Sequence, residues 1–269
     1  MIILGVTKTN GIYITGDTHG TYDVSKLSKL KPILTEDDYL IVLGDFGVCW
    51  DNNGEDNKVR SFWNRHKCRT LFLDGNHENF DLLNKYHVSE WNGGKVQELG
   101  KKITHLMRGQ VFEIEGKTIF TFGGAASHDC GSPLDALIAS HLDDFHGRDF
   151  KADYDNLLKY EQRECRAAGR SWWAAEVPTP EEIVEAKANL AKVGNKVDCI
   201  LTHTGSSRMY RHLGYTPNER PWDRDLIEFF DWIEHNVEFE HWWFGHLHQD
   251  FVYDEKHIGL YDAIREIVQ

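Results

Sequence analysis

The chain has 269 residues, of which 41% are hydrophobic and 27% are charged, the proportions of a soluble globular protein rather than a fibrous or disordered one. Its 43 Asp and Glu residues outnumber its 30 Lys and Arg residues, and the net charge of −13 argues against broad nucleic-acid binding. No apolar run approaches the about 20 residues that cross a bilayer, and the first residues lack the pattern of an export signal. We therefore expect a cytoplasmic protein without membrane association, while the sequence leaves its oligomeric state open.

Five segments of the chain share one pattern, a short apolar run that ends in Gly, Asp, Asn or His. They span residues 11–20, 39–45, 69–78, 198–204 and 240–248. Continuous apolar runs of this length are typical of strands that are covered on both faces, so the pattern predicts a layered α/β sheet. The polar residues then fall at the C-terminal ends of the strands.

Helical spacing of apolar residues separates several of these strands. It predicts helices at residues 55–67, 179–193 and around 226–233. The second is the clearest, because Thr179 can cap the helix and Glu182 completes a capping box. We expect these helices to form the layers that connect the strands.

The middle and the end of the chain have a different, strand-rich pattern. Between residues 103 and 125, Gly109 and Gly116 interrupt short strand-like runs, which predicts a meander or a pair of hairpins. Residues 251–268 are predicted to add further strands.

One region departs from both patterns. Residues 129–170 are polar and aromatic without a strand signal, and they fit either a cap or insertion over a site or a plain surface excursion. Because the chain has no internal repeat, low-complexity tract or clear linker, we expect a single domain over residues 1–269.

Eight residues with metal-binding or catalytic side chains follow the predicted strands. They are Asp17, His19, Asp45, Asn76, His77, His203, His246 and His248. Taken singly each is weak, since Asn76 could form an Asx-turn and a lone histidine such as His203 is more often a core residue. Strand ends of an α/β sheet converge at one edge, however, so the set is expected to share one crevice.

The chemistry of this set favours two metal ions rather than one. Three oxygen donors and four imidazoles are too many for a single tetrahedral site. A two-metal centre needs a bridging carboxylate, and Asp45 is the natural candidate for that position.

Five motifs occur in a fixed order along the chain. They are GDTHG (16–20), GD (44–45), GNHE (75–78), THT (202–204) and GHLH (245–248). In this order they resemble the signature blocks of the calcineurin-like metallophosphoesterases, over roughly residues 12–128 and 198–252. The resemblance implies a two-sheet α/β sandwich flanked by helices, with four αββα layers. It also implies a dinuclear metal-dependent phosphoesterase, in which a metal-bridging hydroxide attacks a phosphomonoester or phosphodiester.

The resemblance assigns roles to the eight residues. It implies two ligand sets, Asp17, His19, Asp45 and His248 for one metal ion and Asp45, Asn76, His203 and His246 for the other. His77 would be the catalytic group, which protonates the leaving-group oxygen or stabilises charge on the phosphoryl group. Mn or Fe is the expectation typical of the family, and Zn, Ni or Co also suits such donors.

The sequence also departs from one branch of this superfamily. Protein Ser/Thr phosphatases extend the second motif to GD-x-x-DRG and carry Arg before GNHE, whereas this chain has Val48, Cys49 and Asp74 at the Asp and two Arg positions. The missing arginines favour a small phosphoester substrate, such as a nucleotide. A Ser/Thr-type protein phosphatase is the alternative, and a catalytically silent metal-binding interaction module on the same fold is an alternative of another class.

Three further residues are candidates for substrate binding. Arg208 and Arg211 follow His203 closely enough to contact a bound phosphate, for which a guanidinium is well suited. His128 lies where the chain leaves the predicted sheet. The alternative for all three is an exposed position on a loop.

Overall fold

The structure, a computed structural model, describes residues 10–51, 53–127, 169, 171–215 and 223–267. Most of the expected cap or insertion at 129–170 lies outside the described residues, and so does the candidate His128.

The described residues contain thirteen strands. In chain order they are β1 Ile12–Thr15, β2 Tyr39–Val42, β3 Arg69–Phe72, β4 Val88–Trp91, β5 Gly94–Glu98, β6 Ile103–Leu106, β7 Gln110–Ile114, β8 Lys117–Phe122, β9 Cys199–Thr202, β10 His241–Phe244, β11 Phe251–Val252, β12 His257–Gly259 and β13 Ile264–Ile267. All five strands predicted from the apolar runs are present, as β1, β2, β3, β9 and β10. The strand-rich middle and C-terminal segments are confirmed as well.

The described α-helices are α1 Gly54–Asn64, α2 Phe80–Leu83, α3 Pro180–Lys192, α4 Ser207–His212 and α5 Arg224–Asn236. Two 3₁₀ helices span Val24–Lys29 and Ala174–Glu176. The predicted capping box of α3 is confirmed, since Thr179 Oγ1 accepts from Glu182 N at 3.2 Å and Glu182 Oε2 accepts from Thr179 N at 2.7 Å. Helix α1 ends three residues earlier than its apolar pattern predicts. None of the helices in the described ranges has the length and apolar character needed to cross a membrane.

The strands form two sheets, each built around parallel strands. The first has the order β13-β1-β2-β3-β6-β5-β4, and β1, β2, β3 and β6 are parallel. The second has the order β11-β12-β10-β9-β8-β7, and β8, β9, β10 and β12 are parallel. Thr15 pairs with Val42 and Val42 with Phe72, while Thr202 pairs with Phe244. The C-terminal ends of these parallel strands are therefore level within each sheet.

Three apolar clusters lie between the layers of the molecule and pack them together. The middle cluster joins the sheets, with Ile14 from the first and Leu201 from the second. A second cluster, around Trp63 of α1, covers the outer face of the first sheet. A third, around Leu190 of α3 and Phe230 of α5, covers the outer face of the second sheet. This arrangement confirms the four-layer αββα sandwich.

Strand β2 shows why the apolar runs are continuous. Leu40 and Val42 belong to the outer cluster, whereas Ile41 and Leu43 belong to the cluster between the sheets. Because successive side chains point to opposite faces of a strand, a strand covered on both faces needs apolar residues at every position.

Candidate metal centre

The C-terminal ends of five parallel strands carry the candidate site. Strands β1, β2 and β3 of the first sheet and β9 and β10 of the second lead directly into the loops that hold all eight predicted side chains. The cluster between the sheets fixes the two sheets against each other, so these loops meet at one edge of the sandwich. Such an edge is where ligands bind in α/β folds.

The structure brings the seven predicted metal ligands together in two overlapping groups. Within each group, atoms able to bind a metal lie within 4.8 Å of one another, and the groups are Asp17, His19, Asp45 and His248, and Asp45, His203 and His246. Asn76 joins the second group, because its Oδ1 atom lies 3.2 Å from His203 Nε2. These groups coincide with the two ligand sets that the sequence resemblance implies.

Asp45 is the residue shared by both groups, and its two oxygens point in different directions. Oδ2 lies 3.4 Å from His19 Nε2, whereas Oδ1 lies 3.3 Å from His203 Nε2. One buried carboxylate therefore faces both groups at once. This is the geometry that a bridging ligand between two metal ions requires.

Two histidines are held with one particular ring nitrogen turned toward Asp45. His203 Nδ1 lies 2.7 Å from the backbone oxygen of Leu43, and His19 Nδ1 lies 2.7 Å from Asp23 Oδ2. In both cases Nδ1 donates to an oxygen and Nε2 faces the site. An outer partner of this kind fixes the orientation of a metal-binding histidine.

The backbone around the ligands is unusual as well. His19, Asp45, His246 and His248 all have positive φ angles, between 42° and 65°. Non-glycine residues adopt this conformation rarely and at an energetic cost, and such residues concentrate at functional sites.

Glycines precede several of the ligands because the site is crowded. A Cβ atom on Gly75 would overlap Asp45, and one on Gly44 would overlap the ring of His203. Gly44 also has a φ of 94°, which glycine adopts readily. The glycines of the GD and GNHE motifs thus permit the close approach of the two sheets.

The electrostatics of the site favour bound cations. Burial alone would lower the pKa values of His19 and His203, but hydrogen bonding and attraction to Asp45 raise each to about 9. Burial would raise the pKa of Asp45, yet the nearby charges of His203 and His77 hold it well below its usual range. These shifts have one cause, which is the attraction of the buried carboxylates for positive charge. A divalent cation supplies that charge when it replaces the imidazole protons.

The surroundings of the Asp17 carboxylate show whether metal ions fit the site. Its Oδ1 atom accepts from the backbone of His246 at 3.0 Å, but its buried Oδ2 atom has no hydrogen-bond partner among the described residues. His248 Nε2 lies 3.1 Å from this oxygen, without hydrogen-bond geometry. A buried carboxylate oxygen left in this way needs a cation, and mixed oxygen and imidazole donors suit transition metals.

His77 lies beside both ligand groups. Its backbone N donates to Asp45 Oδ1 at 2.7 Å, and its ring lies 5.2 Å from the ring of His19. The adjacent Glu78 is buried and accepts from the backbone of Phe46 at 2.7 Å and of Gly47 at 3.3 Å. Glu78 therefore ties the loop after β3 to the loop after β2, a role that the sequence analysis did not assign.

The candidate substrate-binding arginines have protein partners. Arg208 lies 3.4 Å from Glu234 and 3.3 Å from Asp254, and Arg211 donates to Ser207 Oγ at 2.7 Å. The Arg208 guanidinium also lies 4.8 Å from the centre of the Tyr253 ring. Any contact with substrate would require them to exchange these partners.

Some residues around the site were not predicted from the sequence. Asp23 could have been found from its position four residues after His19, whereas Ser127 and Glu176 lie far from Asn76 in the sequence and carry no local signal. Glu176 is buried and accepts from Ser127 Oγ at 2.7 Å, and Ser127 accepts from Asn76 Nδ2 at 3.3 Å. Only the folded chain places these three residues in contact.

Comparison with known proteins identifies the family of the chain. The family model of the calcineurin-like phosphoesterases matches residues 11–250. The chain is also similar to a crystal structure of phosphopantetheinyl hydrolase from Mycobacterium tuberculosis, with 15% identity, a TM-score of 0.43 and coverage of 97% of this chain and 96% of that chain. No curated protein matches the chain. Because the family model spans most of the sequence, the protein belongs to the calcineurin-like phosphoesterase family and is a metal-dependent phosphoric ester hydrolase.

Proposed function

We propose that the protein hydrolyses small phosphoesters at a dinuclear metal site formed by the two ligand groups. The observation that carries the proposal is Asp45, whose two oxygens lie 3.4 Å from His19 Nε2 and 3.3 Å from His203 Nε2. A pair of bound metal ions supplies Lewis acidity and a nucleophile derived from water near neutral pH.

The residues of the chain supply the remaining parts of the mechanism. Asp17 and His248 hold one side of the site, and Asn76 and His246 hold the other. His77 lies beside them, with its backbone fixed on Asp45, so its imidazole can protonate the leaving-group oxygen or hydrogen-bond the phosphoryl group. This general-acid role is the one that the sequence resemblance implies for His77.

The surroundings of His77 support a small substrate whose leaving group carries an aromatic ring, as the nucleoside of a nucleotide does. The Trp50 ring lies 6.1 Å from the His77 ring at an angle of 31°, and Trp173 contacts the Trp50 ring edge-on at 5.6 Å. Trp50 directly follows Val48 and Cys49, which occupy the Asp and Arg positions of protein phosphatases and are both buried. This stretch therefore offers an aromatic surface beside the site in place of a guanidinium, and a nucleobase can stack on such a surface.

The metal ions in this proposal are Mn or Fe. Their donors are four imidazoles, two carboxylates and one amide oxygen, which suit these ions and also Zn, Ni and Co. The identity of the metal is part of the test.

The test starts from protein freed of metal by a chelator and reloaded with Mn(II), Fe(II), Zn(II), Ni(II) or Co(II) in turn. Substrates are p-nitrophenyl phosphate, its bis ester, nucleotides, cyclic nucleotides and a phosphopeptide. We expect two bound metal ions per chain and turnover of at least one nucleotide class. The His77→Ala variant should keep both metal ions and lose turnover, whereas His87→Ala, at an exposed histidine, should behave as the wild type.

Three outcomes contradict parts of the proposal. Two bound metal ions without hydrolysis of any ester would favour the silent interaction module. Preference for the phosphopeptide would favour the protein phosphatase. Full turnover by His77→Ala would remove His77 from the mechanism.

A further inference from the structure

The side-chain amide of Asn76 has two ends of similar shape but opposite chemistry. Its Oδ1 atom lies 3.2 Å from His203 Nε2, and its Nδ2 atom donates to Ser127 Oγ at 3.3 Å. Only the oxygen can bind a metal ion, so a rotated amide would present NH₂ to the site instead. Because Asn76 is buried, its hydrogen-bonding neighbours decide which end faces which way.

Ser127 can accept from Asn76 only if its own proton is used elsewhere. Glu176 Oε2 lies 2.7 Å from Ser127 Oγ, and it also accepts from the backbone N of Ser127 at 3.1 Å. A carboxylate offers acceptors alone, so the hydroxyl proton of Ser127 points to Glu176. The lone pairs of Ser127 Oγ are then left for Asn76 Nδ2.

The opposite orientation of Asn76 is disfavoured by the same contacts. A rotated amide would place Oδ1 against Ser127 Oγ while the hydroxyl proton is held by Glu176. Two acceptors would then face each other in a buried position, which costs the free energy of an unmade hydrogen bond. Hydrogen-bond donation thus runs from the Asn76 amide to Ser127 and from Ser127 to Glu176, so the carboxylate at the end of the chain sets the orientation of the amide.

Glu176 is itself held firmly in place. The 3₁₀ helix Ala174–Glu176 is anchored by Arg108, whose Nη2 donates to the backbone oxygen of Ala175 at 2.7 Å and of Glu176 at 3.3 Å. Arg108 Nε also donates to Asp74 at 2.7 Å, two residues before Asn76. The segment that carries the carboxylate and the loop that carries the amide therefore share one buried anchor.

We propose that Glu176 is a positioning residue that acts through Ser127 to turn the oxygen of Asn76 toward the second metal ion. The inference rests on the proposed function, because it takes Asn76 as a metal ligand. Glu176 has no part in the first ligand group, so its effect is confined to the ion bound by Asn76, His203 and His246.

The test measures Mn(II) binding to the whole chain, by calorimetry and by the electron paramagnetic resonance signal that distinguishes a coupled pair of Mn(II) ions from a single ion. In Glu176→Leu, Ser127 loses the acceptor for its hydroxyl proton, which can then turn to Asn76 and favour the rotated amide. We expect the affinity for the second Mn(II) to fall by about 10–100-fold, the usual effect of an outer partner, with the first unchanged. Glu181→Leu, at an exposed carboxylate five residues away, is the matched control and should bind both ions as the wild type does.

A double variant separates positioning from a general structural role. Asn76→Asp places an oxygen at both ends of the side chain, so the orientation of that side chain no longer matters. One of the two oxygens then faces the lone pairs of Ser127 Oγ, which is a repulsive contact. In this background Glu176→Leu should leave the second Mn(II) affinity unchanged or raise it. A purely structural Glu176 would instead lower it in both backgrounds.

The outcomes are distinct. Wild-type protein that binds a single Mn(II) ion would overturn both the dinuclear site and this inference. A wild type with two Mn(II) ions, together with a Glu176→Leu variant of unchanged affinity, would overturn the positioning role alone. Equal weakening of both ions in Glu176→Leu, accompanied by a lower melting temperature, would also overturn it.

Discussion

Asp45 and His203 come from different sheets, and Asp45 Oδ1 lies 3.3 Å from His203 Nε2. Asp45 follows β2 of the first sheet and His203 follows β9 of the second. The ligand groups therefore depend on how the two sheets are packed, and the apolar cluster between the sheets sets that distance. The packing of the two sheets is therefore a condition for metal binding.

The shared position of Asp45 predicts that its loss affects both metal ions. In Asp45→Asn we expect metal analysis to find less than one tightly bound ion per chain, because each group loses a charged ligand. Activity should fall by more than the about 10–100-fold that a change to an outer partner costs. Asp37→Asn, at an exposed carboxylate, is the control, and an Asp45→Asn variant that keeps two ions would exclude a bridging role.

Trp50 predicts a preference among substrates. Replacing it with Leu should lower kcat/KM for aryl and nucleoside phosphates, because base stacking on an aromatic ring contributes about 1–3 kcal/mol per base. Turnover of glycerol phosphate, which has no ring, should change little, and Trp50→Phe should retain most of the preference. An equal loss for both substrate types would show that Trp50 acts on the fold or on His77 rather than on the leaving group.

The candidate ligands could be located from the sequence because each lies next to its strand end. Asp17 and His19 are separated by one residue, as are His246 and His248, and the preceding apolar runs mark where β1 and β10 end. Such local patterns survive in the sequence because strand burial and the chemistry of the following loop are both local properties.

What the residues alone could not provide is the pairing between distant segments. The apolar runs of β2 and β9 look alike, so their pattern does not distinguish one sheet from two, and the two-sheet fold came from the family resemblance. Glu176 lies 49 residues from Ser127, and no spacing rule connects them. The hairpin of β4 and β5 was predictable in principle, because Asn92 and Gly93 form its turn with φ values of 47° and 91°.

The buried pair of Asp74 and Arg108 predicts a large effect on stability. Burial alone would raise the pKa of Asp74, but Arg108 and His105 hold it well below its usual range. Arg108→Met should therefore destabilise the protein by about 3–5 kcal/mol in urea unfolding, because it leaves a buried charge without its partner. The double variant Asp74→Leu/Arg108→Met should recover part of that loss, and equal destabilisation by the single and double variants would contradict the pairing argument.

His66 predicts a specific dependence of stability on pH. It is buried after α1 against the rings of Trp63 and Phe62, and burial is the main cause that lowers its pKa from the usual 6.5. The unfolded chain then binds a proton on this residue more readily than the folded chain does. The contribution of neutral His66 to stability is thus fully present above pH 6.5 and is lost as the pH falls toward its folded pKa.

We expect the stability of the wild type, relative to His66→Phe, to decrease between pH 7 and pH 5 in urea unfolding. Because the histidines of the candidate metal centre are common to both proteins, their titration cancels in this difference. A constant difference over that range would mean that His66 is protonated as easily in the folded protein as in the unfolded chain.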